Sequence, residues 1–111
     1  MTDDEFALAM RHMSEYTLEN MHIAKITVDE KRRLCVYPDE QRADFADIFG
    51  KTKDVHYHNA GFFYATGYRK AHEGYKRIIT AVQVYYGIVL VKDESTVFEN
   101  VAEKVRMKID N

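Results

Sequence analysis

The stretch ITVDEKRRLCVY, residues 26–37, decides the fold class of this chain. Its two ends are rich in β-branched and aromatic side chains and flank the charged residues Asp29–Arg32, which predicts two strands joined by a turn. Thr27 and Glu30 also have the spacing of a helix capping box, so a short helix is the alternative. We favour the hairpin, and it predicts an α+β rather than an all-α protein.

Helices and one further strand region are predicted around this hairpin. The predicted helices cover 3–23, the region from Pro38 to just before Gly50, 60–73, and the end of the chain from Thr96. Residues 76–91 are dense in Ile, Val, Thr and Tyr and predict strand, with Gly87 at a bulge or turn. We therefore expect a mainly antiparallel sheet packed by about four helices, with an all-α fold as the alternative.

Length and composition predict one domain over residues 1–111. A content of 46% hydrophobic and 31% charged residues excludes a disordered chain. Cys35 is the only cysteine, which excludes a disulfide framework and favours a reducing compartment, with its side chain buried as a small hydrophobe. The longest apolar stretch has 14 residues, fewer than the roughly 20 that span a bilayer. We expect a cytoplasmic protein without membrane contact.

Charge is distributed unevenly along the chain. Residues 1–50 hold 11 acidic and 6 basic side chains, a balance of −5, whereas residues 51–92 hold 2 acidic and 7 basic, a balance of +5. Residues 93–111 hold 5 acidic and 3 basic, a balance of −2. The basic middle segment also contains six of the eight tyrosines and three of the five histidines. This asymmetry indicates that the middle segment carries the function.

Within that segment, residues 51–77 predict a surface for an anionic partner. Asn59 and Gly61 stand at the start of the predicted helix 60–73, where backbone N–H groups and the helix dipole favour an anion. Basic and aromatic side chains interleave, a mixture that can contact phosphates and stack on bases. The predicted ligand-binding residues are Lys51, Lys53, His56, His58, Asn59, Gly61, Tyr64, Tyr68, Arg69 and Lys70.

A second hypothesis is a metal or acid–base site formed by Asp54, His56 and His58. In an extended segment, side chains two residues apart share a face, so one carboxylate and two imidazoles would converge. Such a set suits Zn²⁺ or non-haem iron, or acid–base chemistry near neutral pH. Glu19 and His22 also have a ligand-like spacing, but they lie on the solvent side of the predicted helix 3–23.

These observations predict a small non-enzymatic binding protein that forms a homo-oligomer and engages a nucleotide-like ligand, a nucleic acid or an acidic protein surface. One alternative is a metal-assisted hydrolase using Asp54, His56 and His58. A third class is a protein-directed inhibitor or adaptor without a small-molecule ligand. No catalytic residue and no cofactor is assigned, and a bound metal stays open.

Overall fold

A sheet of six strands organises residues 18–110, the part of the chain that the computed structural model describes. The strands are β1 (Glu19–Val28), β2 (Leu34–Pro38), β3 (Val55–His58), β4 (Phe62–Ala65), β5 (Ile88–Val91) and β6 (Val97–Glu99). The α-helices in this part are α1 (Ile48–Lys51), α2 (Ala71–Tyr86) and α3 (Glu103–Asp110), and a 3-10 helix over Ala43–Asp47 leads into α1. The α+β class is confirmed and the all-α alternative is wrong.

Strand β1 is central to the sheet because it pairs with three other strands, β2, β5 and β6. The strand order is β3-β4-β2-β1-β5, with β6 also beside β1. The predicted hairpin of residues 26–37 is confirmed: β1 and β2 run antiparallel, with Val28 opposite Leu34. The first half of β1 runs parallel to β5 and the second half parallel to β6. The sheet is therefore mixed, and the prediction of a mainly antiparallel sheet with about four helices is only partly right.

The start of β1 corrects the predicted helix over 3–23. Residues 3–17 of that helix lie outside the described residues, but residues 19–23 are strand. Met21 and Ile23 are buried on either side of the partly exposed His22, which is the two-residue period of a strand. A bulge between Ile23 and Lys25 then shifts the register.

Helix α2 corrects the predicted strand over residues 76–91. Its buried side chains include Tyr75, Ile78 and Val82, which recur at helical spacing and face the sheet. This packing outweighs the strand preference of the β-branched residues around them. Gly87, with φ of 68°, ends the helix and donates its N–H to the Gln83 carbonyl at 3.0 Å. Only residues 88–91 form the predicted strand.

The predicted helix over 60–73 is also wrong, because this region turns back into the sheet. Gly61 has φ of 102° and donates its N–H to the His58 carbonyl at 2.9 Å, which closes a hairpin. Residues 62–65 then form β4 between β3 and β2. Helix begins only at Ala71. An anion site at a helix start at Asn59 therefore has no helix to support it.

Two further helix boundaries differ from the prediction. Pro38 ends β2 instead of starting a helix, because the Asp39 N–H bonds the His22 carbonyl and continues the strand pairing. Helical structure begins at Ala43 and runs through Gly50 to Lys51. The last helix begins at Glu103 and not at the predicted Thr96. Thr96 instead donates its hydroxyl to the Ile23 carbonyl at 2.8 Å, and strand β6 follows it.

The core lies between the sheet and α2, and it extends under the 3-10 helix and α1. Its fully buried side chains include Ile23, Ile26, Val36, Phe45, Ile48, Val55, Phe63, Ile78, Val82 and Ile88. Cys35 is also buried, as predicted, and burial raises the pKa of its thiol. Among the described residues, no helix is both long and apolar enough to cross a membrane.

Candidate functional site

A basic cleft of about 410 Å³ opens between the β1–β2 turn, the start of α2 and helix α3. Its basic lining residues come from three separate regions of the chain. They are Arg32, Arg69, Lys70, His72, Lys104 and Lys108. The remaining lining residues are Val28, Ala71, Asn100, Ala102 and Val105. We call this feature the basic cleft.

Within residues 18–110, no acidic side chain balances the charges of the basic cleft by lining it or by pairing with its arginines and lysines. None of the described residues that line it is acidic. Within the described part of the chain, its two arginine and three lysine side chains make no ion pair. The two arginines Arg33 and Arg77, in contrast, bond carboxylates at 2.8 Å. Among the residues that the structure describes, the cleft therefore concentrates positive charge without an acidic partner.

Local structure explains how these cations reach one place. The Asp29 carboxylate accepts the N–H groups of Lys31 and Arg33, which closes a tight turn. Arg32 occupies the left-handed region in that turn, with φ of 64°, and its side chain is exposed. Lys104 and Lys108 are one helical turn apart on α3, so both side chains reach the same side of the helix.

The start of α2 adds to this positive potential. Arg69 directly precedes Lys70, the N-cap residue of this 16-residue helix, whose N-terminus carries partial positive charge. Partial burial lowers the pKa of His72, and the nearby charges of Lys108, Lys76 and Lys70 lower it further. The imidazole is thus favoured in its neutral form, and the five permanent cations carry the charge of the cleft.

A second depression, of about 650 Å³, lies beside the same β1–β2 turn. Val28 and Asn100 line both cavities, but here Asp29 and Glu30 balance Lys31 and Arg33. A cavity with balanced charge has no electrostatic preference for an anion. The basic cleft is therefore the better candidate for binding one.

The sheet face opposite α2 carries two columns of stacked side chains, which we call the aromatic ladder. In the first column, His56 stacks on Phe49 at 4.8 Å and on Tyr64 at 4.9 Å, and the Arg33 guanidinium covers the far side of Tyr64 at 4.4 Å. The second column consists of His58, Phe62, Tyr37 and Lys25, with successive separations of 4.8, 4.9 and 4.4 Å. The first column spans β3 and β4, and the second spans β3, β4, β2 and β1.

Within the ladder, neighbouring side chains pack against the ring of Tyr64 from two sides. Tyr64 lies between His56 and Arg33, so a base can stack on it only by displacing a neighbour. Burial, and then the charge of Arg33, lower the pKa of His56, which favours a neutral ring. The His58 Nδ1 accepts the Ala60 N–H at 3.0 Å. Ligand stacking on Tyr64 stays a prediction.

Asp54 belongs to a cluster of its own, which we call the Asp54 cluster. Its carboxylate accepts hydrogen bonds from Arg77 Nε at 2.8 Å, from the Tyr68 hydroxyl at 2.7 Å and from the Thr52 hydroxyl at 2.5 Å. Burial alone would raise the pKa of this carboxyl, but these hydrogen bonds outweigh it and hold the pKa well below its usual range. Burial and the bond to Asp54 raise the pKa of Tyr68 to about 12.

The Asp54 cluster removes the basis for the predicted metal set. His56 and His58 do share a strand face, but the Asp54 carboxylate is engaged by Arg77, Thr52 and Tyr68. In the part of the chain that the structure describes, no trio of His, Cys, Asp or Glu side chains is placed to hold a metal ion. The geometry therefore gives metal-assisted hydrolysis at these residues no support.

His22 is the centre of a further group of hydrogen-bonded side chains. Sequence analysis predicted this residue on the solvent face of a helix. Its Nδ1 lies 2.9 Å from Asp39, and its Nε2 lies 2.9 Å from both Asp93 and Ser95. Hydrogen bonds to Asp93 and then Asp39 raise the pKa of His22, which favours the imidazolium. Ser95, His22 and Asp39 are connected like a nucleophilic triad, but the Ser95 hydroxyl donates its hydrogen bond to Asp93 at 2.6 Å and not to the imidazole. The group joins β1, the end of β2 and the β5–β6 loop.

The structure thus divides the residues predicted for one surface. Arg69 and Lys70 line the basic cleft, His56, His58 and Tyr64 belong to the aromatic ladder, and Tyr68 joins the Asp54 cluster. Asn59 and Gly61 lie in the β3–β4 turn, and Lys51 and Lys53 lie at the end of α1 and in the turn before β3.

Sequence reasoning missed Arg32, Lys104 and Lys108 as site residues. Lys104 and Lys108 have an i, i+4 spacing that signals a common helix face, and Arg32 stands in a charged turn. Neither local pattern shows that these two regions line one cleft together with Lys70. Comparison with protein-family models, with curated proteins and with solved structures finds no match to this chain.

Proposed function

We propose that this chain is a non-enzymatic binding protein that engages an anionic partner through the basic cleft. The observation that carries the proposal is the convergence of five cations in a cleft that no carboxylate of residues 18–110 lines. Grouping like charges disfavours the folded protein through repulsion, and an anion bound between them relieves that repulsion. The cleft retains Arg69 and Lys70 from the predicted surface and adds Arg32, Lys104 and Lys108.

Neutralising four cations of the basic cleft tests this proposal. A cleft variant combines Arg69→Gln, Lys70→Gln, Lys104→Gln and Lys108→Gln. A matched control removes the same charge from exposed lysines outside the cleft, through Lys31→Gln, Lys51→Gln, Lys53→Gln and Lys76→Gln. The control also tests the predicted role of Lys51 and Lys53 in charge contacts.

Binding is measured as fluorescence anisotropy of two labelled probes, polyglutamate and a thymidine 20-mer, over a series of salt concentrations. We expect the cleft variant to lose affinity for at least one probe by about tenfold or more, with a salt dependence flatter by roughly three ion contacts. The control variant should stay close to the parent protein. Equal losses in both variants, or no binding by the parent protein, would contradict the proposal.

Self-association and a cytoplasmic location remain part of the proposal. Among the described residues, four exposed apolar side chains on separate elements are available to an interface between copies of the chain. They are Phe49, Val91, Val97 and Met107. Native mass spectrometry tests this part directly, and a protein that stays monomeric at micromolar concentration would remove it.

A further inference from the structure

The floor of the basic cleft differs chemically from its rim. The arginine and lysine side chains of the cleft are exposed and are called the rim, and its small or aliphatic lining residues, Val28, Ala71, Ala102 and Val105, are called the floor. Val105 packs against the hydrophobic core, and Val28, Ala71 and Val105 are only partly exposed. A ligand that reaches this floor meets an apolar surface, whereas its flanks meet lysine and arginine.

This lining lacks the stacking rings that are typical of single-stranded nucleic-acid sites. Single-stranded nucleic acid is held by cations that follow the backbone together with aromatic rings that stack on the bases. None of the described residues lining the cleft is aromatic except the imidazole of His72. The rings of the aromatic ladder stack on one another, and Tyr64 has both faces covered. A base in the cleft would meet aliphatic side chains instead of a stacking platform.

Resting on the proposed function, we infer that the partner is a protein segment in which acidic residues alternate with aliphatic ones. Its carboxylates pair with the rim, where Lys104 and Lys108 are spaced one helical turn apart and match carboxylates at the same spacing. Its aliphatic side chains cover Val28 and Val105, which removes apolar surface from water on both sides. Charge selects the segment, and the floor distinguishes it from a purely polar polyanion.

The test compares three labelled probes of equal charge by fluorescence anisotropy. The first is a peptide of glutamate and leucine, the second is the same peptide with serine in place of each leucine, and the third is an oligothymidylate. We expect the glutamate–leucine peptide to bind about tenfold or more tightly than the serine peptide, since a single buried aliphatic side chain accounts for such a factor. The oligothymidylate should bind more weakly than the leucine peptide.

A floor variant places the preference for leucine in the cleft. Val28→Thr and Val105→Thr keep the side-chain shape but exchange a methyl group for a hydroxyl. Val84→Thr with Val89→Thr is the matched control, at partly exposed positions of one helix and one strand that do not line the cleft. The floor variant should bind the two peptides alike and retain salt-dependent binding of the serine peptide. Urea unfolding of each variant confirms that it is folded before binding is compared.

The possible outcomes separate this inference from the proposed function. If all three probes bind alike in the parent protein and the cleft variant loses all of them, the cleft binds anions but the inference on the partner is overturned. Tightest binding of the oligothymidylate also overturns it, in favour of nucleic acid. If no probe binds, both the inference and the proposed function fail.

Discussion

The basic cleft and the Asp54 cluster use the same types of cation in opposite ways. In the Asp54 cluster, the Arg77 side chain is only 12% exposed and bonds both Asp54 and Thr52. In the cleft, Arg69 and Lys70 are exposed and have no carboxylate partner among the described residues. Arg69, Lys70 and Arg77 all lie within residues 51–77, which sequence analysis predicts to form one binding surface.

This difference shows that the count of charges in a segment does not locate a binding site. A largely buried, hydrogen-bonded guanidinium joins the start of β3 to α2, and separating it from its carboxylate has a large energetic cost. An exposed cation without a partner contributes little to stability and is available to an external anion. Stability and binding should therefore respond to different variants.

The largest effect is expected from Arg77→Met. Removing one partner of this pair leaves Asp54 partly buried without its counterion and should lower the free energy of unfolding by about 3 kcal/mol. Urea unfolding measures the loss, and Lys76→Met, at an exposed position of the same helix, is the control. A loss as small as that of the control would mean that the pair does not hold the fold together.

A smaller, pH-dependent effect is expected from the histidines. The pKa of His22 is raised from its ordinary value of 6.5, so its stabilising effect is complete below that pH and is lost as the pH rises through the folded pKa. Relative to the parent protein, His22→Asn should therefore cost most at acidic pH. A cost of His22→Asn that is constant from pH 5.5 to 8.5 would contradict an imidazolium at this position.

His56 should behave in the opposite sense. Its pKa is lowered, so its neutral ring stabilises the fold above pH 6.5, and this contribution is lost as the pH falls through the folded pKa. His56→Phe keeps a ring in the ladder without the titration, so the variant should lose less stability than the parent protein on acidification. Parallel urea midpoints for the two proteins from pH 7.5 to 4.5 would show that His56 does not titrate in the ladder.

The smallest effect on stability is expected from the cleft variant with its four glutamines. Removing exposed cations that pair with no carboxylate of residues 18–110 should change the free energy of unfolding by about 0.5 kcal/mol or less, with a gain at low salt because repulsion is relieved. Urea unfolding at low and physiological salt measures this change. A loss comparable to that of Arg77→Met would show that the cleft cations stabilise the fold and would remove the contrast on which the site assignment depends.

Local pattern carried the prediction where neighbouring residues decide the structure, as in the hairpin of residues 26–37. It failed over 76–86, because the β-branched residues there also recur at the spacing that covers a sheet with a helix face. It failed again over 62–65, where pairing with β2 and β3 places aromatic residues in the sheet. Of the cleft residues, only Arg69 and Lys70 could be predicted, because they lie within the basic segment. Arg32 and Lys104 are distant from them in the sequence, and only the fold brings them to the same cleft.

The most direct test of the anion-binding cleft is a titration of the ¹⁵N-labelled protein with the glutamate–leucine peptide, followed by amide chemical shifts. We expect the largest changes at residues 69–72, 102–108 and around Arg32, which surround the cleft. Residues 55–64, which carry much of the aromatic ladder, should change little. Changes centred on the ladder, with the cleft amides unaffected, would contradict the account.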